Sequence, residues 1–174
     1  VSDEARLLAE IHAARALMRA GEPARDTSRR PGAAELWAHA AREPGGPVDL
    51  ALVRAIRGDP ATARRYRALL GAQAIAHAPL AAAASDGAVA SRRVGAFTLE
   101  ILPADEDAPP LLVLRGSGAR PPRAIEAMLG DETVRLALPP AIDGAILVAL
   151  DPGVLEAARL GAMLQDRDCA VFLL

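Results

Sequence analysis

The chain has 174 residues, 52% of them hydrophobic, and a formal net charge of −2. That length suits one domain or two small intimate ones burying about two-thirds of the unfolded surface, and no apolar run approaches the ~20 residues needed to span a bilayer. Cys169 is the sole cysteine, which excludes an intrachain disulfide and a thiolate metal cluster from one chain and points to a reducing compartment, the cytoplasm.

Aromatic residues are limited to Trp37, Tyr66, Phe97 and Phe172, so the core must be built from Leu, Ile, Val and Ala. Every basic side chain is Arg. Forked, bidentate donors would be one reason, but a GC-rich coding bias accounts for the Ala and Pro as well. The opening Val1-Ser2-Asp3-Glu4 lacks the basic and hydrophobic regions of a secretory signal. It also lacks Met, which leaves a removed leader or missing upstream residues open.

Apolar residues recur at helical spacing up to Asp86-Gly87 and at strand spacing after it, which predicts an α+β protein. An N-terminal helical module of about four helices (1–84) would pack beside a six-stranded, mainly antiparallel, β-sandwich-like module (85–174). The first holds 12 Arg against 9 acids and the second 8 Arg against 13 acids, +3 and −5.

Ser2 or Asp3 would cap a first helix whose Leu7, Leu8, Ile11, Ala14, Leu17 and Met18 share one stripe, ending near Gly21. An exposed loop follows from Glu22 to Gly32, then a short helix from Ala33 to Arg42 carrying Leu36 and Trp37. Pro44-Gly45-Gly46-Pro47 breaks the chain, a third helix runs from Val48 to Arg57, and Gly58 stops it. Asp59-Pro60 reads as N-cap and first residue of a fourth helix reaching His77, with Tyr66, Leu69, Leu70 and Ala74 inward. So short a turn predicts a helical hairpin.

In the second half Phe97, Leu99 and Ile101 alternate with Thr98 and Glu100, giving a strand over Arg92–Leu102 with one wet face. The continuous run Leu111–Leu114 suits a strand covered on both sides. Ile125–Leu129 and Thr133–Leu138 flank Gly130-Asp131, a two-residue hairpin signal. A fifth strand follows over Ala145–Leu150, and Asp151-Pro152 would cap a helix to Leu164 that sets Val154, Leu155, Ala158 and Met163 against the sheet. The last run, Cys169–Leu174, is apolar throughout, which implies a strand held in a sheet or against another chain.

No constellation for catalysis, cofactor or metal binding emerges. His12, His39 and His77 lack the H-x-x-x-H spacing that places two imidazoles on one helix face. Cys169 opens an apolar strand, where a thiol behaves as a small hydrophobe. Gly116-Ser117-Gly118 meets Pro121-Pro122 where an anion-binding helix would start, and reads as a turn. Asp105-Glu106-Asp107 and Asp166-Arg167-Asp168 miss calcium-loop spacing and read as solvated turns.

What stands out is Arg54, Arg57, Arg64, Arg65 and Arg67 around the Asp59 turn, either a solvated helical face or a surface for an acidic protein partner. Nucleic acid is disfavoured by the overall acidity and the few stacking aromatics. With Phe172 and Leu174 of the last strand, these arginines are the candidate partner-binding residues. The chain is therefore expected to be a non-catalytic accessory or regulatory protein acting through protein-protein binding, such as a small subunit of a larger complex. The alternative is a transcription regulator that sequesters a factor through its helices or touches nucleic acid through its arginines. An enzyme assembled from scattered Asp, Arg and His, such as a pocket joining His77 to carboxylates, ranks third.

Overall fold

Local capping chemistry decides where the helices begin in the computed structural model, which describes residues 30–78, 91–106, 108–118 and 120–174. The helix expected over the first 21 residues and the change of rhythm at Asp86-Gly87 lie outside them. Helix α1 (Ala33–Ala40) starts at Gly32, whose N–H donates to Glu35 Oε2 at 2.6 Å. Helix α2 (Leu50–Gly58) starts at Asp49, which accepts from the N–H groups of Ala51 and Leu52. Asp59 closes α2 and opens α3 (Pro60–Gln73), accepting from Ala61 N, Thr62 N and the Thr62 hydroxyl. Carboxylates at these positions satisfy N–H groups that no helical carbonyl can reach. The two helices pack as the expected hairpin.

Helix α3 ends at Gln73, four residues short of the expected His77. Ala74 turns to extended backbone, Ile75 N donates to Leu173 O, and Ala76–Ala78 becomes strand β1. The segment Ala74–Ala78 favours helix by propensity alone, and sheet pairing overrides that weak preference.

Eight strands, not six, form two four-stranded antiparallel sheets among the described residues. One extra strand is β1. The other arises because Arg92–Leu102 is a hairpin, β2 (Ser91–Val94) and β3 (Phe97–Leu102), turning at Gly95-Ala96 with Val94 opposite Phe97. Strands β4 (Leu111–Gly116), β5 (Ala124–Leu129), β6 (Glu132–Ala137), β7 (Ala145–Ala149) and β8 (Ala170–Leu173) follow. Gly130 takes φ 60° between Leu129 and Glu132, the positive φ that so tight a loop demands at its first residue.

The sheet orders are β1-β8-β5-β6 and β2-β3-β4-β7. Their facing side chains, among them Leu99, Leu112, Ile125 and Val171, belong to one buried cluster, and all of it lies within the unit Pro31–Leu174. Leu36, Ile56, Tyr66 and Leu70 of α1–α3 cluster with Met128, Ala170 and Phe172, covering the first sheet's other face. Strands β5 and β8 are thereby buried on both faces, and β8, hydrogen-bonded to β1 and β5, is held in a sheet as its apolar sequence implied.

Helix α4 (Leu155–Leu164) begins three residues after the expected Asp151-Pro152 cap. Asp151 instead closes a turn, its side chain accepting from Gly153 N and its carbonyl from Val154 N. The buried face is Ala157, Leu160, Met163 and Leu164, so Met163 points inward as expected, while Val154 and Leu155, also expected inward, are exposed.

Candidate functional site

Antiparallel register sets His77, Phe172, Glu126 and Arg135 in one row across β1, β8, β5 and β6, on the face that meets the helices. The row passes from an open end to a closed one.

At the closed end Glu126 is 1% exposed and accepts from Tyr66 Oη at 2.7 Å, Thr133 Oγ1 at 3.1 Å and Arg135 at 3.4 Å. The Arg135 guanidinium also donates to the carbonyls of Ala40 (3.0 Å) and Arg42 (2.7 Å), where α1 has ended. Arg42 in turn donates to His39 O at 2.5 Å and Tyr66 Oη at 3.4 Å. Burial and then the Glu126 charge push the Tyr66 phenol above its ordinary pKa. Burial lowers that of Arg135, against the pull of Glu126. These side chains tie α1 and α3 to the sheet, with Tyr66 and Glu126 sealed from solvent, so they serve the fold.

His39, 6% exposed, packs its ring 5.4 Å from that of Tyr66. Burial, then the Arg42 and Arg135 charges, lower its pKa from 6.5 to about 4. The folded state therefore binds this proton less readily than the unfolded chain. The sign follows: stability is intact above pH 6.5 and falls as pH drops toward 4, by up to about 3 kcal/mol. Urea midpoints of the wild type and His39→Phe at pH 7 and pH 4.5 check this; the wild type is expected to lose more stability than the variant, and equal losses would contradict it.

At the open end lies a groove of roughly 520 Å³. Its wall is α3, through Arg64, Arg67, Ala68 and Gly71; its floor is Ala170 and Phe172 of β8; His77 of edge strand β1 closes the far side. The His77 ring stacks on Phe172 at 6.2 Å and 13°. Among the described residues that line the groove, His77 is accompanied by arginines and apolar groups and by no carboxylate.

Of the five arginines around the Asp59 turn, the structure brings only Arg64 and Arg67 to this groove. Arg57 donates to Thr133 O at 3.4 Å, Arg65 to Pro31 O at 3.2 Å, and Arg54 is exposed on α2. Phe172 is 3% exposed, and Leu174 is half-buried against the helices with its backbone paired to Ala124. The sequence reading missed Glu126, Arg135 and Arg92. The only signal for Glu126 is a single acid within the otherwise apolar Ala124–Leu129.

Cys169 is buried, and burial pushes its thiol up to about 11, the state of a packing residue. Among the described residues no group of three or more His, Cys, Asp and Glu is placed to hold a metal ion, and no helix is long and apolar enough to cross a membrane. No protein-family model, curated protein or solved structure matches the chain.

Proposed function

We propose that the protein is a non-catalytic accessory or regulatory protein that binds another protein through the groove of α3, β8 and β1. The observation that carries this reading is the pairing of two cations with an apolar floor. Arg64 and Arg67 have no hydrogen bond or ion pair among the described residues, and both line the same concave surface. Groups that would do chemistry, Tyr66, Glu126 and His39, are sealed in the fold, whereas the groove offers charge from Arg64 and Arg67 and apolar surface beside Ala68, Gly71 and His77 to a partner. Recognition surfaces combine a desolvated apolar centre with charged groups at the rim.

The test starts from the complex isolated from native cells and identified by mass spectrometry. Reversing both charges, Arg64→Glu with Arg67→Glu, is expected to weaken that complex by about tenfold or more in calorimetric titration. Arg167→Glu, on the exposed turn after α4, should leave it unchanged. A chain that purifies alone, or a complex indifferent to the double reversal, would refute the reading.

A further inference from the structure

Resting on that reading, we infer that the groove takes a short acidic and hydrophobic segment of the partner, with carboxylates at Arg64 and Arg67 and an apolar side chain between Ala68, Gly71 and the His77 ring, above Phe172. Three features of the groove point to this occupant. The floor is apolar, and the Phe172 ring is braced from β1 by His77. Among the described residues the Arg67 Nε is shielded from water and has no hydrogen-bond partner, and a donor left in that state costs about 1–3 kcal/mol. A carboxylate oxygen entering the groove would relieve it. Finally, Gly71 lies inside α3, where glycine costs about 0.8–1 kcal/mol relative to alanine.

Nothing among the described residues requires that glycine. A Cβ built there meets no atom within 4 Å, and the position is not among those with positive φ. What Gly71 provides is room, beside Ala68 one turn earlier on the same wall. The resulting volume of roughly 520 Å³ holds a few side chains and not a folded domain. Two arginines neutralise too few phosphates to sustain nucleic-acid affinity, whereas they match the one or two carboxylates of a short peptide.

The probe is a fluorescein-labelled, blocked hexapeptide alternating Asp or Glu with Leu, compared with its Asn/Gln counterpart and with sodium octanoate as a competitor. Polarisation is expected to give saturable binding of the acidic peptide, about tenfold weaker binding of the neutral one, and loss of affinity with rising salt. Gly71→Leu fills the groove and raises helix propensity, so it should abolish peptide binding while the thermal midpoint holds or rises. Equal binding of acidic and neutral peptides would overturn the inference, as would octanoate displacing the peptide at equal concentration, which would mark a small-molecule site. If no peptide binds but the double charge reversal still disrupts the native complex, this inference fails and the recognition reading stands. If the native complex is also indifferent, both fail.

Discussion

Glu126→Ala is expected to destabilise the protein by about 3–5 kcal/mol, the cost of breaking one side of a buried ion pair. Three donors converge on this carboxylate, from Tyr66, Thr133 and Arg135, and its removal takes this acceptor from each of them, stranding the buried Tyr66 hydroxyl. Arg135 keeps its bonds to the Ala40 and Arg42 carbonyls, which places the loss toward the lower end of that range. Glu126→Gln keeps an acceptor for Tyr66 but no charge for Arg135, and should fall between the two. Replacing the pair by hydrophobic residues is often harmless elsewhere, but here it would orphan the carbonyls after α1, so Glu126→Leu with Arg135→Met should remain destabilised. Urea unfolding checks the series; a midpoint for Glu126→Ala within error of the wild type would show that the network does not hold the helices to the sheet.

The second large effect is expected at Arg92, which is 7% exposed on β2. Its guanidinium donates to the carbonyls of Leu164 (3.1 Å), Asp166 (2.6 Å) and Cys169 (2.6 Å). It thus places a positive charge at the end of α4, where unpaired carbonyls carry the negative pole of the helix. Arg92→Met retains most of the apolar stem and removes all three bonds, with an expected loss of about 2–4 kcal/mol. Arg92→Lys restores the charge but not the fork, and should recover only part of it. Thermal unfolding separates the outcomes: Met and Lys variants that melt alike would show that charge at the helix end contributes nothing.

What could be read from the sequence was local. Asp59-Pro60, Gly130-Asp131 and the unbroken Leu111–Leu114 each carry their chemistry within a few residues, and each took the structure expected of it. Strand β1 was hidden because Ala-His-Ala between helical residues has no strand signal; its identity comes from β8, about a hundred residues away in the chain. The Gly95-Ala96 turn was passed over because Gly-Ala is a weak turn signal, although the buried phase shifts by one residue across it, from Arg92 and Val94 to Phe97 and Leu99. The burial of Arg92 had no local signal, because nothing nearby in the sequence reveals the three carbonyls that it meets.

The candidate site was half legible for the same reason. An arginine cluster around the α2–α3 turn is visible in one dimension, but which arginines share a surface depends on helix phase and on what lies beneath. The structure turns Arg57 and Arg65 toward backbone carbonyls and leaves Arg64 and Arg67 over Phe172 and His77. Glu126 and Tyr66 meet across sixty residues, a pairing that neither local sequence announces.

The most direct test of the recognition reading is an amide chemical-shift map of the isotope-labelled protein titrated with the partner isolated from native cells. The largest shifts are expected on Arg64–Gly71, His77 and Ala170–Phe172. Shifts concentrated instead on the outer face of the β2-β3-β4-β7 sheet, around Leu102 and Leu147, would contradict that reading.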